Sequence, residues 1–221
     1  MMSSTIVNYV NSSEFQEVIS LEALLKKIPE NMQSRALRYR FPQDAYNFVL
    51  GRLLLKKALI DNGFSTQNLE NIYFNEMQKP LIDGISFNIS HSKHLVGCAY
   101  SLDGNIGLDI EFPRLIKKEN FRNCFNALEW QYINFDDSLH TFYTYWTQKE
   151  AILKANGAGL GSLLDMDIIN HEYAYFGKER NPETSKKWYL RSLKLGNEEA
   201  YGCLCVEKEV KVTINKIEFL D

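Results

Sequence analysis

The chain has 221 residues, of which 45% are hydrophobic and 24% charged. Those are ordinary globular values, and a chain this long buries about 70% of its unfolded surface without help from disulfides or a structural metal. A net charge of −3 argues against a general nucleic-acid binder, which carries a basic stripe, and no run of about 18 apolar residues is available to span a membrane.

The opening "MMSSTIVNYVNSSEF" has no basic stretch followed by an apolar one, so it is not read as a secretory signal. Residues 14–28, "EFQEVISLEALLKKI", carry apolar positions at helical spacing and stop before Pro29. "MQSRALRYRF" then places Arg35, Arg38 and Arg40 close together. The next segment, "PQDAYNFVLGRLLLKKALIDNG", is a helix by pattern, with Pro42 at its start, Asp44 in its first turn and Gly63 as a stop. "NIYFNEMQKPLI" and "ISFNISHSKHLVGCAYSL" are predicted strands, with Asp83-Gly84 as the hairpin signal between them.

After Asp103-Gly104 comes "IGLDIEF", a strand whose Ile106, Leu108 and Ile110 alternate with Asp109 and Glu111. A charged loop, "PRLIKKEN", leads to a predicted helix near "FRNCFNALEWQYINF". Residues 138–156 form a second long helix with a serine cap and Gly157 just beyond. Three strands are predicted near "MDIIN", "KWYLRSLKL" and "AYGCLCVE", and "KVTINKIEF" is expected to finish their sheet. Cys98, Cys124, Cys203 and Cys205 show no CxxC or CxxH spacing, and three of them lie in apolar strand runs. Buried thiols are the expected state, and with them a reducing cytoplasm.

The two halves echo each other: a long helix rich in Leu, Lys and Ala, then strands ending in a Gly-Cys pair, "LVGCAYS" and "AYGCLCV". The fold class is α+β, as two similar lobes, 1–104 and 105–221, with a ligand expected in the cleft between them.

Two carboxylates on one face of a strand repel unless something positive sits between them. Asp109 and Glu111 offer hard oxygens a few ångströms apart, which suits Mg²⁺ held partly by phosphate oxygens. Taken alone, a solvated strand end explains them better. On the second long helix Glu150 and Lys154 share a face at i and i+4. A surface ion pair of small energetic value is the common reason for that spacing. The exit through Gly157, Gly159 and Gly161 adds a place where backbone approaches a ligand closely. "FNISHSKH" sets Ser90 and His91 side by side, without the G-x-S-x-G elbow of a serine hydrolase; hydrogen bonding to phosphate oxygens is the better use. His94, His140 and His171 have no comparable context. Lys79-Pro80 is by itself only a turn. Together these residues are three acids for a metal, and Arg35, Lys79, His91 and Lys154 for phosphates: the equipment for chemistry on a pyrophosphate.

Through "QKP", "FNISHS", "IGLDIE" and "WTQKEAILKANGAGL", in that order, the chain is similar to the Sfp-type 4′-phosphopantetheinyl transferases. The helix "QDAYNFVLGRLLLKKAL" extends the resemblance over most of the chain. The resemblance implies a pseudo-dimer of two α+β lobes, monomeric, with coenzyme A in the cleft. It implies that Asp109, Glu111 and Glu150 hold Mg²⁺, with Mn²⁺ as a substitute. It gives Ser90 and His91 to the phosphates, Lys154 to the pyrophosphate, and Lys79 and Pro80 to the adenosine 3′-phosphate end. Asp109, Glu150 and Lys154 are the implied catalytic residues and an apo acyl or peptidyl carrier protein the implied partner. Rival readings are a coenzyme A-binding module without transfer, and an Mg²⁺-dependent nucleotide pyrophosphate hydrolase. The chain departs from the pattern at Gln78, where many members have glycine. It departs again at Met32 and Phe48, near positions that are often basic or hydroxylic, and Arg35, Arg38 or Arg40 is expected to compensate.

Overall fold

A computed structural model describes residues 4–177 and 183–218. Contacts divide the chain into two compact units, one formed by residues up to Asp103 together with Lys211 onward, the other by Gly104–Val210. The mixture of helices and largely antiparallel sheets is the expected α+β class. No helix among the described residues is long and apolar enough to cross a membrane.

The first unit opens with β1 (Ser4–Asn11), a strand that was not anticipated from the sequence. Three short helices follow, α1 (Ser12–Val18), α2 (Leu21–Leu25) and α3 (Glu30–Ala36). The single helix expected over 14–28 is broken because Ser20 sits in extended backbone and its hydroxyl accepts from the Ala23 amide at 3.2 Å, starting a new helix. The long helix α4 (Pro42–Asp61) buries Phe48, Val49, Leu50, Leu53, Leu54 and Leu55, which point all round its axis. Such a helix needs cover on every side, and it has it: α1, α2 and α3 lie against it from one direction and the sheet from the other.

Two-residue strands β2 (Tyr73–Phe74) and β3 (Pro80–Leu81) pair with each other. Asp83-Gly84 turns the chain as predicted, with Ile82 facing Ile85, into β4 (Ser86–Ser92) and β5 (Leu95–Ser101), an antiparallel hairpin turning at Lys93 (φ 48°).

The second unit begins with β6 (Ile106–Glu111). The helix expected near 121–135 is a 3₁₀ turn over residues 118–124 followed by α5 (Ala127–Phe135). A capping box starts α5, with Asn126 accepting from the Glu129 amide and Glu129 from the Asn126 amide, both at 2.9 Å. Helix α6 (His140–Asn156) is started by Ser138 and Asp136 together, which accept from the amides of His140 and Thr141; Gly157 (φ 75°) ends it. Four strands complete the unit: β7 (Met166–Ile169), β8 (Tyr173–Phe176), β9 (Lys186–Leu193) and β10 (Tyr201–Val206). They form an antiparallel sheet in the order β6-β10-β9-β8-β7; β8 was not anticipated.

Residues 211–216, expected to finish the second sheet, do not. As β11 (Lys211–Lys216) they pair in parallel with β1, from Ser4↔Lys211 to Tyr9↔Lys216, giving the first unit the order β11-β1-β5-β4. The earlier division at 104/105 had placed them with the second lobe. Phe219, the last residue of the predicted run, lies outside the described residues.

Candidate active site

Strand β6 is buried from Ile106 to Ile110, with Glu111 half-buried at its end, and Gly107 explains how α6 comes to lie on it. A Cβ at Gly107 would overlap the Ala151 carbonyl and the Ala155 amide of α6 and stand 3.0 Å from the Ala155 Cα. Only glycine lets these two backbones meet. The side chain two residues on is Asp109, 3% exposed, and Lys154 of α6 donates to its Oδ1 at 2.6 Å. The close strand–helix crossing thus brings together residues 45 positions apart in the chain.

Glu150 lies one turn before Lys154. Burial raises its carboxyl above the ordinary range, Lys154 opposes the rise, and the charges of Asp109 and then Glu111 add to it. Glu150 therefore feels both acids of β6, and Lys154 is the cation shared by Glu150 and Asp109. Among the described residues no three acids, imidazoles or thiols are drawn together tightly enough to enclose a metal ion. Lys154 takes up one of the carboxylates, that of Asp109. As a donor set the trio fits Mg²⁺: hard oxygens, partly desolvated, more charged than one lysine offsets.

Around this trio the second unit is unusually braced. Tyr143 of α6 accepts from the Arg114 amide at 3.0 Å and donates to the Arg114 carbonyl at 3.1 Å, fixing the chain just beyond Glu111. A small cleft of about 80 Å³ beside Glu111 is lined by Ile116, Phe121, Phe142 and Trp146. Lys149, fully buried, binds Glu129 Oε2 at 2.9 Å and the Leu163 carbonyl at 2.8 Å. Burial pushes the Lys149 ammonium toward losing its proton and Glu129 opposes that. Sequence reasoning missed this pair, because a lysine beside a glutamate on a helix looks solvated; only the aromatic residues flanking it hint at a core. Leu115 is fully exposed, whereas Phe125 is core.

The remaining candidates lie in the first unit. Ser90 and His91 are neighbours on β4, and alternation sends Ser90 inward and His91 to the exposed side. Lys79 and Pro80 end a turn organised by Asn75, whose side chain accepts from the amides of Met77 (3.1 Å) and Lys79 (2.8 Å). Gln78 holds φ 63°, so the turn keeps the backbone that a glycine would adopt freely. Arg35 stands over the Phe48 ring at 5.3 Å, while no contact of this kind places Arg38 there. Met32 and Phe48 are both buried.

The family model of the 4′-phosphopantetheinyl transferase superfamily matches residues 105–205, which hold the acids, Lys154 and the Lys149–Glu129 pair. A putative 4′-phosphopantetheinyl transferase of Haemophilus influenzae is 32% identical over 172 residues, 72% of this chain and 72% of its own. The chain belongs to the 4′-phosphopantetheinyl transferase superfamily, and within it to the Sfp type. The transferase gsp of Aneurinibacillus migulanus is 36% identical over 62% of this chain and 59% of its own. Sfp of Bacillus subtilis is 30% identical over 65% and 66%. Against gsp, the chain spans less than two thirds of the relative's length.

Proposed function

We propose that this protein transfers the 4′-phosphopantetheine arm of coenzyme A to a serine hydroxyl of an apo acyl or peptidyl carrier protein, as a monomer. The carrying observation is the joint placement of Asp109, Glu111, Glu150 and Lys154 on β6 and α6, inside the stretch matched by the family. In this reading Asp109, Glu111 and Glu150 hold a Mg²⁺, which supplies charge neutralisation on the diphosphate oxygens. The serine oxygen forms a bond to the phosphorus that carries the pantetheine arm. The bond from that phosphorus to the bridging oxygen breaks, and adenosine 3′,5′-bisphosphate leaves. Glu150 takes the serine proton. Lys154 exchanges Asp109 for the departing phosphate and offsets the charge that grows there. Arg35, Lys79, Pro80, Ser90 and His91 hold the nucleotide and phosphate end.

The test is a mass measurement. An apo carrier incubated with coenzyme A, Mg²⁺ and this protein should gain one phosphopantetheine. Loss of coenzyme A without a heavier carrier would instead make the protein a hydrolase, and tight binding without either change would make it a binding module.

A further inference from the structure

A cavity of about 540 Å³ lies within the second unit, between α5, α6 and the turn that joins β7 to β8. That volume is in the range of small-molecule pockets. Leu128, Tyr132 and Phe135 of α5, at i, i+4 and i+7, give it an apolar wall open to solvent, with Phe135 91% exposed. Another wall is built around His171, which the sequence left without context. Asn170 (φ 50°) and His171 (φ 59°) are both left-handed, a backbone that favours glycine, yet the imidazole is fastened twice. Its ring lies 4.8 Å from the Tyr145 ring. Gln148 donates to the His171 carbonyl at 3.3 Å, and the Gln148 amide oxygen accepts from Nδ1 at 2.9 Å. Nδ1 therefore carries the hydrogen and Nε2 is left as an acceptor. Burial, and then the His140 charge, pushes the imidazole down, so the ring is neutral at neutral pH.

Tyr145 lines the same cavity and is 6% exposed, and its hydroxyl has no hydrogen-bond partner among the described residues. Burial pushes that hydroxyl up to about 12, so it stays a donor. Among the described residues no lysine or arginine lines the cavity, and its one acid, Asp136, accepts from the Ser138 and Thr141 amides. We propose that this cavity is a second binding site, for an uncharged flat aromatic molecule bearing an amide, whose N–H donates to His171 Nε2 and whose C=O accepts from the Tyr145 hydroxyl. An acceptor beside a donor complements one amide, whereas a purely apolar guest leaves both without partners. The site stands apart from the transfer chemistry, because Tyr145 and Gln148 lie on a different face of α6 from Glu150 and Lys154.

The experiment titrates the full chain with benzamide, N,N-dimethylbenzamide and benzoate, followed by NMR of the backbone amides and imidazole nitrogens. Benzamide should bind saturably, one per chain, and move the His171 Nε2 resonance. The dimethyl compound, which has no N–H, and the anionic benzoate should each bind about tenfold more weakly, the scale of one hydrogen bond to a group otherwise left unpaired. His171→Phe should bring benzamide down to the level of the dimethyl compound, Tyr145→Phe should weaken both amides, and Phe135→Ser should weaken all three probes. Thermal melting checks each variant, and Tyr145→Phe with the probe comparison decides the matter should His171→Phe fail to fold. Equal binding of the three probes, or benzamide binding that both ring variants leave unchanged, would make the cavity an unselective apolar crevice and overturn the proposal. So would no binding of benzamide up to its solubility limit. Dimers in sedimentation that Phe135→Ser dissolves would give this face to a second copy of the chain and overturn it as well.

Discussion

Around the Gly-Cys step of their central strands the two units share one register. In the first, Gly97 of β5 faces Tyr9 and Cys98 faces Asn8. In the second, Gly202 of β10 faces Ile110 and Cys203 faces Asp109. Asn8 therefore stands where the second unit has Asp109, and Val10 where it has Glu111. Both asparagine and aspartate are buried, but their partners differ. The Asn215 amide of β11 donates to Asn8 Oδ1 at 3.1 Å, closing that side with a neutral contact. In the second unit the sheet ends at β6, and the partner of Asp109 is a lysine from the helix. The same strand frame is thus neutral and sealed in one unit, charged and adjustable in the other. The long helices differ in parallel. Asn47 of α4 ties a loop by donating to the Lys93 carbonyl at 2.7 Å, whereas Lys149 of α6 does so with a charge that Glu129 must balance.

The contrast in helix packing gives the largest expected effect. Gly107→Ala drives a methyl into the α6 backbone, which has no side chain to rotate away, and should cost more than about 4 kcal/mol. In the first unit the glycine is on the helix: a Cβ at Gly51 meets the Ile89 Cγ2 methyl at 2.9 Å. Gly51→Ala should stay within about 1 kcal/mol of wild type, because better helix propensity offsets that crowding. Urea unfolding of both variants checks the pair, and equal midpoints would break the comparison.

Breaking the buried ion pair should cost about 3–5 kcal/mol for Lys149→Met or Glu129→Leu alone, since each strands a charge. The double variant should be less destabilised than either single one. Asn47→Ala, its neutral counterpart, should lose about 1–3 kcal/mol. A double variant as unstable as the sum of the singles would mean that the two residues do not act as a pair.

Converting the second unit toward the first should cost activity rather than folding. Asp109→Asn and Glu111→Val are expected to reduce turnover about 10²-fold or more while the protein stays folded. The reverse change, Asn8→Asp, should leave turnover alone. Glu150→Gln should lose turnover yet raise the melting temperature at neutral pH. The sign follows from its raised carboxyl: between the ordinary glutamate range and the raised value the folded state holds more proton than the unfolded one, so stability falls as pH rises through that window. Thermal melts across mildly acidic to neutral pH test this, and a stability contribution that grew with pH would contradict it.

The smallest effect belongs to Gln78→Gly, which should stabilise the Lys79 turn by about 1 kcal/mol or less by relieving a left-handed backbone. Calorimetric melting decides it, with a drop in melting temperature as the contrary outcome.

What could be read from the sequence follows distance along the chain. Helices α4 and α6, the strand carrying Asp109 and Glu111, and the Gly-Cys strands announce themselves through local periodicity and caps. Strand β1 does not, because its neighbours β5 and β11 lie far along the chain, Lys211 being 207 residues beyond Ser4. The Ser20 break was hidden by apolar spacing that continues across it. In the site, the acids and Lys154 stood out by spacing and order. Lys149 did not, since a lysine beside a glutamate on a helix looks solvated until Glu129 and the Leu163 carbonyl are seen around it.

The return of β11 to β1 has a consequence for the order of assembly. The second unit is one uninterrupted stretch, whereas the first stays incomplete until residues 211–216 have left the ribosome. Until then β1 displays an open edge of backbone donors and acceptors, the kind of surface that templates pairing with a neighbouring chain. The nascent protein must therefore keep an already folded second unit tethered to a first one still missing this strand, and the exposed edge persists until residues 211–216 emerge.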